Sequence, residues 1–173
     1  EDVDGDGVVD RERVVRNVGA RRTGFELRGR VRLADRWWLP FDAHAVRGHD
    51  TTRDVPLPEI PAASARLSLS RIGAGGPLAP WSVQFDVRMT AAQERVDSDF
   101  GENSTPGYVL LDLAADLSPT RDTVLRLGVD NLLDHAYHDH LTREAILPTG
   151  DLAAGDEILA PGHRLHVSLG WRY

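Results

Sequence analysis

The sequence has no cysteine and no lysine among its 173 residues. Without cysteine, the chain can form no disulfide and can offer no thiolate as a nucleophile or metal ligand. All 20 basic residues are arginine, and 27 acidic residues outnumber them, which gives a net charge of −7. A surface that binds phosphate backbones normally needs a basic excess, so this balance argues against nucleic acid as a partner.

Long hydrophobic runs and catalytic motifs are also missing. No apolar run comes near the ~18 residues of a membrane-spanning helix. The sequence contains no G-x-S-x-G, no phosphate-binding loop and no H-E-x-x-H, so no catalytic pattern supports an enzyme and we expect no required cofactor. A mean hydropathy of −0.33 would ordinarily indicate a soluble protein, but a membrane β-barrel alternates polar and apolar residues and averages out as hydrophilic.

The dominant pattern in the sequence is strict alternation of apolar and polar residues. From Arg164 to Tyr173 every odd position is apolar or aromatic and every even position is polar or glycine, a split that helical spacing cannot produce. Six earlier segments repeat the pattern: residues 25–33, 37–48, 64–72, 81–91, 109–117 and 125–129. Most are as long as the ~9–11 residues of a tilted membrane-spanning strand, whereas soluble strands have a mode of ~5–6. The pattern predicts an all-β chain with seven long antiparallel strands.

The connections between these segments alternate in length. The shorter ones are residues 34–36, 73–80 and 118–122, and the long polar ones are residues 50–63, 96–107 and 138–163. Short turns on one side and long loops on the other are typical of outer-membrane barrels. The four tryptophans fall at the short-turn end and three other aromatics near the long-loop end, which predicts two aromatic girdles: Trp37, Trp38, Trp81 and Trp171, against Phe25, Tyr108 and Tyr137. Pro40 lacks a backbone donor, so we expect it near the end of its strand.

A secreted β-sandwich is the main alternative from another class, because it also shows alternation, turns and an acidic surface. A sandwich would not usually carry Arg28, Arg30 and Arg32 in a row on one face. A water-filled barrel interior tolerates such a row, and acidic counter-charges are available on the polar faces of other strands: Asp42, Asp86, Asp112 and Asp116. The row of arginines therefore favours the barrel.

The C-terminal third carries motifs of a known family. The stretch NLLDHAYHDH (Asn131 to His140), then APG (Ala160 to Gly162) and a last alternating strand ending in WRY, resembles the C-terminal end of TonB-dependent outer-membrane receptors. In that family a penultimate strand runs into N-L-[LF]-D-x-x-Y, and P-G-R-x follows a long last loop. Here the second motif is one residue longer, Pro161 to Arg164, and Tyr173 stands where phenylalanine is more usual.

The resemblance implies a fold and an organisation. The chain would supply the last seven strands of a transmembrane barrel of 22 antiparallel strands, with residues 1–23 as part of an extracellular loop and residues 24–173 as the strands. The sequence opens on Glu1-Asp2-Val3-Asp4, with neither an initiator methionine nor a signal-peptide pattern. We therefore expect a fragment of a longer protein, whose plug domain and TonB-contacting box lie outside this sequence.

The resemblance also implies a function and partners. Such receptors lie in the outer membrane of Gram-negative cells and take up a scarce ligand (ferric siderophore, haem, cobalamin or metal ion) with energy delivered through TonB. The expected partners are the TonB complex, outer-membrane lipid, the barrel-assembly machinery and a small metal-chelate or metal-ion ligand. The last strand, with Trp171 and Tyr173, resembles the assembly signal that the machinery reads. A passive porin-like barrel without a plug remains an alternative.

An acidic segment near the start is a candidate calcium loop. Asp2, Asp4, Asp6 and Asp10 stand in D-x-D-x-D-G-x-x-D spacing, and alternate carboxylates can converge on a hard cation. The twelfth position, which should carry a bidentate glutamate, is Arg13, and no helical pattern flanks the segment. The competing interpretations are a solvated acidic loop, or a Ca²⁺ ion that orders an extracellular loop. In the sandwich alternative the same segment would make the protein a secreted calcium-binding domain.

Histidines gather in the last long loop, where they are candidate transition-metal contacts: His135, His138, His140 and His163. Carboxylates stand beside them at Asp134, Asp139 and Glu144. Imidazole and carboxylate together suit zinc, copper or nickel, and the resemblance includes a metal-ion subgroup with a histidine in this region. The competing interpretation is that the histidines lie at the strand end by chance, or that one of them occupies a position that is often histidine in the family whatever the substrate. His44 and His49 could join them only if the fold brings those strands close.

Overall fold

The computed structural model describes residues 17–78, 80–142, 153 and 156–171. These residues form eight strands and a single turn of 3₁₀ helix at Ser98–Phe100. The strands are β1 (Ala20–Ala34), β2 (Trp37–Asp50), β3 (Val55–Pro56), β4 (Ser64–Gly73), β5 (Trp81–Thr90), β6 (Tyr108–Thr120), β7 (Thr123–Asp130) and β8 (Arg164–Trp171). The seven predicted long strands are confirmed, and β1 begins earlier than the predicted boundary at residue 24.

All strands belong to one antiparallel sheet in the order β1-β2-β4-β5-β6-β7-β8, and the two-residue β3 pairs only with the end of β2. Each long strand therefore lies beside its neighbours in sequence, which is the up-and-down arrangement of a barrel wall. The described strands do not close into a barrel, because β1 and β8 each have a partner on one side only among them. No helix among the described residues is long and apolar enough to cross a bilayer.

The register keeps most apolar positions of the long strands on one face of the sheet. Leu67 pairs with Val87, and Val87 pairs with Leu111, so side chains of one kind line up across the strands. The apolar face is formed by the odd-numbered positions of the long strands, and the polar face by the even-numbered ones. Asp42 pairs with Arg66 on the polar face. The two faces thus separate as the alternation predicts.

No described residue forms a layer over the apolar face. Among the described residues only Ile60 and Leu110 are buried hydrophobic side chains, while Trp171 is 78% exposed and Leu165 is 74% exposed. A β-sandwich buries its inner faces against a second sheet about 10 Å away. The described residues form a single sheet, so the sandwich alternative is wrong.

Trp38 and Tyr108 lie on the polar face of the sheet, whereas an aromatic girdle requires side chains on the apolar face. All four tryptophans do stand at the short-turn ends of their strands, but Trp38 pairs with Arg32 and Ser70 and so belongs to the polar face. Tyr108 pairs with Thr90 on the polar face as well. Consecutive residues of a strand point to opposite faces, and an argument from strand ends alone misses this. The tryptophans of the apolar face are Trp37, Trp81 and Trp171.

Pro40 is the fourth residue of β2 and lies inside the strand by several residues, although the sequence predicts a place near its end. The pairing of β2 with β4 stops after Trp38 opposite Ser70 and resumes at Phe41 opposite Leu67. Proline has no N–H to donate to a ladder, which accounts for this gap. The strand continues because its pairing with β1 is uninterrupted there, with Pro40 opposite Arg30.

Candidate functional site: the polar face and its long loops

Charged side chains on the polar face are paired across strands. Arg88 makes a two-pronged contact to Asp112, with Nη2 donating to Oδ1 at 2.9 Å and Nε bonded to Oδ2. The same carboxylate accepts the backbone N–H of Asn131 at 2.9 Å. Arg126 and Asp116 form a further pair at 3.3 Å. This face carries hydrogen-bonding groups suited to water or a polar ligand.

The row of arginines on β1 lies at the edge of the same face. Arg28 stands opposite Asp42, so one predicted counter-charge is in place. Arg30 lies over the ring of Trp38 at 4.9 Å and Arg32 at 5.9 Å, and Arg32 also bonds Asp35 at 2.9 Å. The guanidinium groups thus use the indole face and a turn carboxylate as partners.

The first two long loops are joined by an ionic cluster, which we call the loop clamp: Asp50, Arg53 and Asp97. Arg53 Nε donates to Asp50 Oδ2 at 2.9 Å, and its Nη2 is bonded to Asp97 Oδ2. Both aspartates are buried, with 1% and 3% of their surface exposed. Their hydrogen bonds, that to Asp50 first, raise the pKa of the Arg53 guanidinium above its ordinary value. The clamp fixes residues 51–63 against residues 91–107.

The second and third long loops also meet. His140 Nδ1 lies 3.1 Å from Thr105 Oγ1, and its Nε2 is 3.9 Å from Glu102. Tyr108 donates its hydroxyl hydrogen to Asp139 at 3.2 Å, and its ring centroid is 4.5 Å from that of Tyr137. The three long loops therefore form one connected layer at one edge of the sheet.

The four histidines predicted as transition-metal contacts all lie in this layer, and the imidazoles of three of them have their own partners, as given above for His140. His138 Nδ1 donates to the carbonyl of Ile158 at 3.1 Å, and His163 Nε2 donates to that of Leu132 at 2.9 Å. The backbone N–H of His135 donates to Asn131 Oδ1 at 2.9 Å, and its carbonyl accepts from Asn131 Nδ2.

Across the described residues, no three His, Asp or Glu side chains converge on one point. His44 bonds Ser64 and His49 bonds Asp54, so neither joins the four. The predicted metal contacts stay a prediction.

Several predicted residues lie outside the described part of the chain. These are the calcium-loop aspartates, one carboxylate beside the loop histidines and the terminal aromatic: Asp2, Asp4, Asp6, Asp10, Glu144 and Tyr173. Trp171 is described, and it ends β8 on the apolar face.

Sequence reasoning did not find the loop clamp. Arg53 and Asp97 lie 44 residues apart in the sequence, and only the short polar turn after Asp50 gave a local signal.

The described residues form an antiparallel sheet with one uncovered apolar face, one charged face and long loops at a single edge, and these features define a class of protein, the outer-membrane β-barrels. The sequence profile described as TonB dependent receptor-like, beta-barrel matches residues 1–132. The chain belongs to this family. The matched region ends where the C-terminal motifs begin, so the profile supports the resemblance independently of those motifs.

Two solved structures are similar to this chain. The first is "Copper transporter OprC", with 26% sequence identity and a TM-score of 0.78 over 90% of this chain and 24% of that one. The second is the ferric yersiniabactin uptake receptor FyuA from Yersinia pestis, with 19% identity and a TM-score of 0.65 over 88% of this chain and 23% of that one. The second likeness concerns the fold alone. The chain spans about a quarter of either structure, and no curated protein sequence matches it.

Proposed function

We propose that this chain is part of an outer-membrane receptor that imports a metal ion or small metal chelate with energy from TonB. The observation that carries the proposal is the two-sided sheet, whose apolar face is left uncovered by the described residues and whose opposite face is lined with paired charges. A wall between lipid and a water-filled interior needs this combination. Membership of the family adds TonB coupling, through a plug expected elsewhere in the full protein.

The distribution of histidine supports the choice of ligand class. All seven histidines lie in the long loops or in the half of a strand next to them. Imidazole is a preferred ligand of copper, zinc and nickel, and one similar structure is named a copper transporter. On this proposal the long-loop edge is extracellular and captures the ligand. The chain makes and breaks no covalent bonds, and Asp2, Asp4, Asp6 and Asp10 would bind a Ca²⁺ ion that orders an outer loop.

Metal uptake by whole cells tests the proposal. Cells carrying the full-length receptor are grown without added metal, and accumulation of copper(II), zinc(II), nickel(II) and ferric chelates is measured with and without TonB. We expect one of these to accumulate only when receptor and TonB are both present. Uptake that persists without TonB or the proton gradient would instead identify a passive porin.

Variants of the loop histidines test the ligand class while sparing the fold. Asparagine at position 138 keeps a donor where Nδ1 stands, and glutamine at position 163 keeps one where Nε2 stands. We expect these two changes, combined with His135→Asn and His140→Asn, to lower metal uptake about tenfold or more at limiting metal. His49→Asn, which alters a separate contact to Asp54, is the control. Unchanged uptake in the combined variant would contradict metal capture by these residues.

A further inference from the structure

One charged residue interrupts the apolar face. Consider the part of the apolar face that runs from Phe25 and the positions beside it to the short turns. Among the odd-numbered positions of the described long strands in this part, Arg71 is the only charged residue. It stands opposite Trp37 on β2 and Val83 on β5. Its guanidinium carbon lies 5.1 Å from the ring centroid of Trp37 and 5.8 Å from that of Trp81. Within the described part of the chain Arg71 forms no ion pair.

The surroundings of Arg71 form a shallow depression of about 350 Å³ on the apolar face. Its lining combines two indoles with aliphatic and phenyl groups: Trp37, Leu69, Arg71, Trp81, Val83 and Phe85. The tryptophans and Arg71 lie toward the short-turn edge, since β4 ends at Gly73 and β5 begins at Trp81. The apolar part of the lining extends from there toward the middle of the strands.

Gly73 allows one wall of this depression to form. Gly73 stands opposite Trp81, and a Cβ at Gly73 would overlap the indole ring of Trp81. An aromatic ring that covers a glycine of the neighbouring strand is a known way to fix both strands and ring. The indole of Trp81 is thus held flat against β4, beside the guanidinium of Arg71.

A charged group on a lipid-facing surface is costly at the bilayer midplane and nearly free at the interface, where headgroups supply counter-charge. Arginine also binds phosphate with a planar pair of donors, which suits it to a phosphodiester. Tryptophan prefers the same interfacial level. An unpaired arginine between two tryptophans, above an apolar surface, therefore matches a phospholipid in both charge and polarity.

We propose that Trp37, Arg71 and Trp81 bind the phosphodiester of a phospholipid in the leaflet on the short-turn side, with the glycerol and first acyl carbons over Val83 and Phe85. The proposal rests on the proposed outer-membrane location. A specific lipid bound at this site would hold the barrel wall at a fixed depth in the bilayer.

Lipid binding to the full-length receptor tests the site. The receptor is delipidated in detergent, and phosphatidylglycerol is titrated while bound lipid is counted by native mass spectrometry. We expect Arg71→Gln to weaken retention of one lipid about tenfold or more, and Arg71→Lys to weaken it less, because lysine keeps the charge but not the paired donors. Arg30→Gln is the matched control, since Arg30 lies over Trp38 on the polar face.

Each outcome decides the proposal. Equal lipid retention by the wild-type receptor and Arg71→Gln overturns it, as does equal loss in Arg71→Gln and Arg30→Gln. Competition by inorganic phosphate at similar concentration would show a plain anion site and overturn the assignment to lipid. Heat-modifiable migration on gels verifies that each variant is folded, and Arg71→Lys replaces Arg71→Gln if the latter is not. A receptor that stays soluble without detergent contradicts the membrane location itself, which separates failure of the proposed function from failure of this site.

Discussion

Arg53 illustrates at the scale of single residues how the long loops of this chain are held. Its guanidinium lies between two buried carboxylates, one at the end of β2 and one in the loop before β6. Buried charges are tolerated only when they are paired and hydrogen-bonded, and here one arginine serves both. Asp50 also accepts the backbone N–H groups of Thr52 and Arg53, at 2.8 and 3.1 Å. Rigid loops can present ligand-binding groups without an ordering cost at each capture.

Replacing Arg53 by glutamine should loosen the loops without unfolding the sheet. The change leaves the carboxylates of Asp50 and Asp97 without their cation, and carboxylates that lose a charged hydrogen-bond partner hold their loops less firmly. Hydrogen–deuterium exchange on the full-length receptor should show faster exchange in residues 51–63 and 91–107 and unchanged exchange in β4 and β5. Arg36→Gln, which removes only a 3.7 Å contact to exposed Asp35, should change neither. Exchange that is equal in both variants would show that the clamp does not order the loops.

At the scale of strands, alternation was sufficient to predict the seven long elements because each strand has one face of each polarity. A period of two also fixes the register, since a slip by one residue would exchange the faces. The two-residue β3 was not predicted, because it is too short to show a period. To predict the faces of Trp38 and Tyr108, one must ask whether each residue stands at an odd or an even position of its strand. An argument that uses only the strand ends does not ask this. The pairing of Arg53 with Asp97 has no periodic signal at all.

Gly29 is a position where the sheet depends on the absence of a side chain. A Cβ there would lie 2.6 Å from Cζ of Phe41, its partner on β2. Gly29→Ala should therefore displace the phenyl ring and destabilise the barrel by about 1–3 kcal/mol, seen as a lower urea midpoint for the full-length receptor in bilayers. Gly75→Ala is the control, because nothing lies within 4 Å of a Cβ at that position. Equal midpoints for the two variants would contradict the role given to Phe41.

At the scale of the whole molecule, the described strands form part of a barrel wall with two edges. Among the described residues β1 and β8 each leave one row of backbone groups unpaired, and on the proposed membrane location we expect these edges to pair with further strands. The sequence allowed the family to be predicted because its motifs lie at the turn after β7 and in the last strand. The ligand could not be predicted in the same way. It depends on which loop side chains converge in space, and no three His, Asp or Glu side chains do so among the described residues.

The last strand offers the final test, which concerns assembly of the barrel. Trp171 ends β8 on the apolar face with 78% of its surface exposed, and the resemblance to the family assigns Trp171 and Tyr173 to the signal for barrel insertion. Tyr173→Ala should lower the amount of heat-modifiable receptor in the outer-membrane fraction several-fold, because the resemblance implies that the terminal aromatic ring is part of the insertion signal. Tyr173→Phe should leave that amount unchanged, since the ring is kept and phenylalanine is the more usual residue in the family. Equal amounts of folded receptor for the alanine variant and the wild type would show that assembly does not read this residue.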